Sequence, residues 1–282
     1  PVLFAFFNHY RRHKMITERE IIDVHTHIFP SKIALRAAEN TASYYHLGRQ
    51  GDGTAECLLA LSEGLPNTRF VISSAALKPE AVRHGNDFLL STAKSDTRFI
   101  PLCSFHPAMG VALAEEELIY AKENGAKGVK LHPDFQNFAT DDPTAVEIYR
   151  ICARLGLPVL FHVGDTKSDL SHPKRLRAVM EKVPELVIIA AHMCGYSVWE
   201  LAEKYLIGTP VYTDTSEARL GMDAHGLYRL AEKHGTERIM FGSDYPLWGT
   251  AFSYPLVDEC GFTGSEKQQI FCDTAKKVFG IA

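Results

Sequence analysis

The chain has 282 residues, 46% hydrophobic and 23% charged, the balance of a soluble globular protein able to bury a large core. A formal net charge of -4, with no run of five or more like charges, gives no electrostatic support for nucleic acid or a membrane surface as partner. No apolar stretch approaches the roughly 18 residues of a membrane span. The six cysteines (Cys57, Cys103, Cys152, Cys194, Cys260, Cys272) form no CxxC pair and read as reduced thiols of a cytoplasmic protein.

The first fourteen residues, "PVLFAFFNHYRRHK", run from apolar to basic, the reverse of the charge order of a secretory signal. Met15 leads directly into "ITEREIIDVHTH", which reads as a natural start. Residues 1–14 are therefore expected to be an upstream or added extension, and residues 15–282 a single domain. The first predicted strand, Ile21–His27, ends in "DVHTHIF". Residues i and i+2 of a strand face the same side, so His25 and His27 can reach one ion together. Two ligands are too few, and the remainder must come from elsewhere in the chain.

Residues 30–65 make a long first connection containing "AENTASYYHLGRQGDGT" before a helical "AECLLALSEG"; a lid or substrate wall is expected there. Further strands are predicted at residues 70–76, 99–105, 128–132, 158–163, 186–191, 211–215 and 239–243. Between them, helical spacing covers residues 79–93, 113–124, Pro143–Leu155, 173–183, 197–206 and Ala224–His234. Asp142-Pro143 and His172-Pro173 are helix-start signals, and "RLGLP" and "KHGTE" are Gly exits. Eight β/α units predict an α/β fold, a (β/α)8 TIM barrel, regular or slightly distorted, with a long loop after strand 1. An open doubly wound sheet is the rival, but no GxGxxG turn follows the first strand.

Polar groups recur where the predicted strands end. After the paired histidines come His106, His132, His162, His192, Asp214 and Asp244, and a barrel brings such positions to one rim. A lone histidine at a strand end is more often a hydrogen-bonded structural residue; the set together points to a metal. Zinc takes imidazole and carboxylate ligands at about 2.0 to 2.2 Å and, in catalytic sites, keeps a position open for water. His25, His27, His162 and Asp244 are assigned as metal ligands, with one zinc ion the expected cofactor. Asp244 doubles as the proton shuttle for an activated water, and His192 as a neighbouring acid, base or carbonyl polariser. Lys130, His132 and His106 are candidate substrate-binding residues, Lys130 and His132 sharing strand parity. Asp23, deeper in the first strand, is given a supporting hydrogen-bond role.

Five ordered motifs, "DVHTHIFP", "GAKGVKLHP", "PVLFHVGD", "AAHMCG" and "IMFGSDYP", resemble the amidohydrolase superfamily. The likeness is to the metal-dependent TIM-barrel hydrolase branch of amidohydrolase 2 type, related to aminocarboxymuconate-semialdehyde decarboxylase, and runs from about residue 20 to the end. It implies the same ligands, with His192 a catalytic residue or second-metal ligand. A second metal bridged by carboxylated Lys130 occurs in binuclear members. A small-molecule substrate is implied, and a homodimer is admitted.

Three functions fit this pattern. The leading one is a hydrolase in which a metal-activated water attacks an amide, lactone or ester of a small molecule. The alternative is a non-oxidative decarboxylase of an aromatic or muconate-type carboxylic acid. A non-catalytic barrel with structural metal comes last, because structural zinc sites are usually closed by four Cys-rich ligands. For a carboxylic acid substrate, Arg49 and Arg219 are the arginines available as clamps.

Overall fold

Eight strands pair in chain order, each parallel to the next: β1 (Ile21–His27), β2 (Thr68–Ser73), β3 (Phe99–Cys103), β4 (Gly128–Leu131), β5 (Val159–Phe161), β6 (Ile188–Ala190), β7 (Tyr212–Asp214) and β8 (Ile239–Met240). The computed structural model describes residues 17–282, so the expected extension over residues 1–14 lies outside the described residues. Three backbone hydrogen bonds close the ring between last and first segments. Val24 N donates to Phe241 O at 2.9 Å, Asp244 N to His25 O at 2.8 Å and His27 N to Tyr245 O at 2.8 Å. The fold is the expected (β/α)8 barrel.

The connecting helices include α1 (Ser31–Tyr45), α2 (Ala55–Ala60), α3 (Val82–Ser95), α4 (Val111–Glu123), α5 (Pro143–Leu155), α6 (Pro173–Lys182), α7 (Trp199–Tyr205) and α8 (Ala224–His234). The proline signals act as expected. Asp142 caps α5 by accepting from Thr144 N and Ala145 N, with Pro143 at the first helical position, and Gly156 ends it in the left-handed conformation. The segment after β1 differs from expectation in its first half: residues read as loop form α1, while the helical "AECLLALSEG" supplies α2 as expected. Ala34, Ala38 and Ala42 form the buried stripe of α1, a small-residue face that lets the helix lie close on the barrel.

Alternate strand residues fill the barrel axis. Ile22, Val24, Val71, Ile100, Leu102, Leu160, Ile189 and Met240 join one buried cluster with Cys272, Ala275 and Phe279. The last two belong to α10 (Thr274–Phe279), which follows α9 (Thr250–Asp258) and closes the end where strands begin. There Lys276 Nζ pairs with Glu20, next to β1, at 2.7 Å. A second layer between strands and helices, including Phe105, Val129, Leu131, Tyr149, Phe161 and Ile188, is buried throughout. Polar chemistry is thereby pushed to the opposite rim.

One irregularity bears on that rim. Asp23 pairs with Phe70 and Thr26 with Ile72, so β1 holds one residue more than β2 across this step. Such a bulge resets the side-chain alternation. Asp23 then faces away from the histidines: its carboxylate accepts from Thr250 Oγ1 at 2.7 Å and Ser243 N at 3.0 Å. His25 instead points across the barrel mouth.

A candidate metal centre at the barrel rim

His25 is buried and fixed from behind. Its Nδ1 lies 3.0 Å from Asp214 Oδ2 and 3.0 Å from Ser216 Oγ. An ionised carboxylate only accepts, so Nδ1 carries the proton and Nε2 presents its lone pair to the rim. Burial alone would raise the Asp214 carboxyl; His25 beside it holds it below the usual carboxylate range. This carboxylate–imidazole couple is how proteins orient metal-binding histidines. Gly242 makes room for it: a Cβ there would sit 3.0 Å from His25 Cβ and 3.2 Å from Asp214 Oδ1.

Around His25 Nε2 stand Lys130 Nζ at 2.8 Å and Asp244 Oδ1 at 3.4 Å. His27 Nε2 is also 3.4 Å from Asp244 Oδ1, while its Nδ1 meets Ser73 Oγ at 3.2 Å. Burial lowers the pKa of His27 to about 4 and that of Lys130 to about 8, so the His27 imidazole is neutral and has a lone pair to share.

His162 and His192 complete the arrangement. His162 Nε2 is 2.9 Å from the Gly164 carbonyl, which can only accept, so its Nδ1 has the free lone pair. That nitrogen is 3.0 Å from His192 Nε2. Ser216 has one hydroxyl proton, which it gives to Asp214 Oδ1. Its oxygen then accepts from His192 Nδ1 at 2.8 Å, leaving His192 Nε2 unprotonated as well. Two imidazole lone pairs facing one another beside Asp244 repel each other unless a cation sits between or near them. The donor atoms of His25, His192 and Asp244 lie within 4.8 Å of one another. This donor set fits a divalent cation.

Backbone strain marks the same places. His192 (φ 62°), Glu217 (φ 60°) and Asp244 (φ 65°) all adopt the left-handed conformation, as do Met193 and Cys194. Each costs on the order of 1 kcal/mol and persists where surrounding structure over-determines it. His192 N is held by Asp214 Oδ1 at 3.3 Å and Asp244 N by His25 O, so strands β7 and β1 hold these turns in place.

The rim opens into a cavity of about 360 Å³ lined by His25, His27, His132, His162, His192 and Asp244 and walled by aromatic rings. His132 stacks on Phe135 and on His162, at 3.9 Å between centroids in each case. Tyr45, from the end of α1, places its hydroxyl 3.1 Å from His132 Nε2 and 3.3 Å from His162 Nε2. Tyr44 and Tyr196 also face the cavity, as does Glu217, which is buried with neither carboxylate oxygen hydrogen-bonded. Burial and the nearby Asp244 push the Glu217 carboxyl well above its usual range.

Some candidates lie elsewhere. His106 is outside the cavity lining: Ala108 N donates to its Nδ1 at 3.1 Å and its Nε2 meets Gln136 O at 3.0 Å. It is a structural cap to a short turn, which removes it as a substrate contact. Arg49 is spent on Gly51 O at 2.9 Å and Glu39 at 3.3 Å, and Arg219 lies over the Phe252 ring at 4.8 Å, so neither arginine reaches the cavity. Lys130 is fully buried beneath the rim against His25. A second set of close donors, His132, Asp134 and His162, lies beside the first, but His162 Nε2 is already committed to Gly164 O. Asp214, Ser216, Tyr45 and Glu217 are the site residues whose roles sequence spacing did not reveal.

Residues 22–281 match the amidohydrolase family model, and the chain belongs to that family. No curated protein matches it. Among solved structures it is similar to 5-carboxyvanillate decarboxylase from Sphingomonas paucimobilis, with TM-score 0.74 and 16% identity over 94% of this chain and 100% of the other. It is also similar to 2,6-dihydroxybenzoate decarboxylase complexed with 2,6-dihydroxybenzoate, with TM-score 0.73 and 16% identity over 93% and 99% of the two chains. A third is dihydroxybenzoic acid decarboxylase from Polaromonas sp. JS666 with bound manganese and 2-nitroresorcinol, at TM-score 0.70 and 18% identity over 93% and 97%. Among the described residues, no helix is long and apolar enough to cross a membrane.

Proposed function

We propose that this protein is a metal-dependent, non-oxidative decarboxylase of a small aromatic carboxylic acid. The observation that carries the reading is the cavity itself: His132, Phe135, Tyr44, Tyr45 and Tyr196 wall a slot suited to a flat ring, with the imidazole and carboxylate donors at its floor. Its acidic lining groups are Asp244 and Glu217, and no arginine or lysine lines it among the described residues. A substrate carboxylate therefore depends on a cation held at that floor. The similar solved structures, decarboxylases of hydroxylated aromatic acids, support this reading over the hydrolase, which would use the same residues.

His25, His27, His162 and Asp244 are the residues proposed to hold the ion, manganese or zinc; when bound, it supplies the positive charge that draws the substrate carboxylate. Asp214 keeps His25 Nε2 aimed at the floor. His192, whose unprotonated Nε2 faces the same point, is placed to take up a proton from solvent entering the cavity and pass it to the ring carbon bearing the carboxylate. The C–C bond then breaks with its electron pair returning to the ring, and CO2 leaves. Lys130 beneath offsets the negative charge of Asp214 and Asp244. The aromatic walls keep water from the reacting carbon.

The test is CO2 release from a panel of aromatic and muconate-type acids, run beside a panel of lactones and esters. Decarboxylation without hydrolysis is expected. Turnover of the lactones or esters alone would overturn the proposal in favour of the hydrolase.

A further inference from the structure

We propose that residues 30–52 form a flap over the cavity whose tip is clasped shut by Asp165 and Lys167, from the loop after β5, so that entry to the cavity requires the clasp to open. The flap would serve either chemistry, decarboxylation or hydrolysis, and does not rest on the choice between them.

Both roots of the flap lie on one side of the barrel mouth. Phe29 N, just after β1, donates to Gly53 O at 2.9 Å, and Gly51 N donates to Pro246 O, beyond β8, at 3.0 Å. From these roots α1 runs out over the mouth and lays Ala37, Asn40, Thr41, Tyr44 and Tyr45 on the cavity at helical spacing. Its end meets the loop after β5, and β5 stands four strands from β1 either way round the ring, so the flap spans the mouth. There the chain turns back at His46 (φ 56°); a Cβ added at Gly48 would meet nothing within 4 Å, so the returning turn stands clear of the barrel.

Apolar packing grips this helix weakly. Ala34, Ala38 and Ala42 face the barrel, and a buried methyl removes little apolar area from water. The larger Ile33 and Leu35 are 52% and 49% exposed. The tip is held by polar contacts instead: Tyr44 Oη donates to Asp165 Oδ2 at 3.0 Å, Lys167 Nζ donates to Tyr44 O, and the same ammonium lies 4.4 Å from the centre of the Tyr44 ring. Asp165 Oδ1 accepts from Lys167 N, so the two clasp residues fix one another. Contacts of this kind near the surface are individually weak and exchange readily with water, which suits a lid that must open and close. Tyr45, beside the clasped Tyr44, covers His132 Nε2 with its hydroxyl at 3.1 Å and packs edge-on against Tyr196 at 5.0 Å between centroids. Lifting the tip withdraws Tyr45 and uncovers the His132 imidazole.

The experiment compares the purified full chain with Asp165→Ala, Lys167→Met and the double variant; neither residue lines the cavity. Hydrogen–deuterium exchange across residues 31–47 is expected to quicken about tenfold or more in the double variant, and less in each single one, while residues 143–155 in α5 keep the wild-type rate. Diethyl pyrocarbonate, a small reagent that acylates neutral imidazole, should label His132 about tenfold faster in the double variant and the exposed His84 at an unchanged rate. Unchanged exchange across residues 31–47 would overturn the clasp. Faster exchange with unchanged labelling of His132 would overturn its control of entry. Equal quickening in α5 would show general destabilisation and overturn both. Neither readout involves turnover, so the reaction proposed above and the flap can fail separately.

Discussion

The two carboxylates that flank His25 do different work, and substitutions should separate them. Asp214 touches Nδ1 and orients the ring; Asp244 faces Nε2 and the cavity. Asp214→Asn can still hydrogen-bond but no longer stabilises the Nδ1–H tautomer, so metal affinity should fall by about 10- to 100-fold, read by competition with a chelator. Asp244→Asn should nearly abolish turnover, by on the order of 100-fold or more, with metal retained at least in part. His25→Ala should lose metal and activity together, which elemental analysis beside a rate assay would show. At this scale the sequence was informative where local spacing sufficed: His25 and His27 are two apart, and His162, His192 and Asp244 each end an apolar run. Asp214 was visible only as a strand residue. Its partnership with His25 spans 189 positions and exists only once the barrel closes. His106 looked equivalent to the others because a strand-end histidine reads the same whether it caps a turn or faces a cavity.

Secondary-structure elements show where periodicity is and is not a sufficient guide. Pro143–Leu155 and Ala224–His234 were legible to the residue because apolar faces and caps agree. The helix α1 was not, since its buried stripe is alanine and its overall composition is polar. Its consequence is functional, because Tyr44 and Tyr45 at its end become cavity walls. The bulge in β1 was equally hidden: strict alternation would place Asp23 with His25, and the extra residue separates them. Asp23 still supports the site as expected, accepting from His25 N at 3.3 Å. Helix α8 carries a pH response of its own. His234 is buried, its Nδ1 accepts from Gly208 N at 3.2 Å and its Nε2 meets Val211 O at 2.9 Å. Burial, with Arg238 nearby, lowers its pKa from 6.5 to about 4. The unfolded chain therefore binds more protons between those values, so this contribution is full above about pH 6.5 and is lost as pH falls toward 4. Stability measured by denaturant titration should decline by up to about 1.4 kcal/mol per pH unit across that window. His234→Gln should flatten this part of the profile.

For the whole molecule, the cluster on the barrel axis and the layer beneath the helices are continuous apolar packing that needs no ion. Chelation should therefore eliminate turnover while leaving far-ultraviolet circular dichroism close to that of the loaded protein. Loss of the helical signal on chelation would instead favour a structural metal. The eightfold alternation made this architecture legible from sequence, because each unit needs only local patterning. What chemistry the rim performs was not legible, because it depends on side chains from α1 and the turn after β7 meeting over one floor.

The bonds that close the ring join the strand of His25 and His27 to the segment of Asp244. Three of the four proposed ligands, His25, His27 and Asp244, thus lie on the two banks of the one junction where the sheet has no chain connection running directly from strand to neighbouring strand. A nascent chain holds the histidines almost from the start of the domain but acquires Asp244 only near its end. Ion capture with full affinity must then wait for circularisation, and a metal-sensitive signal during refolding would time the moment at which the ring shuts.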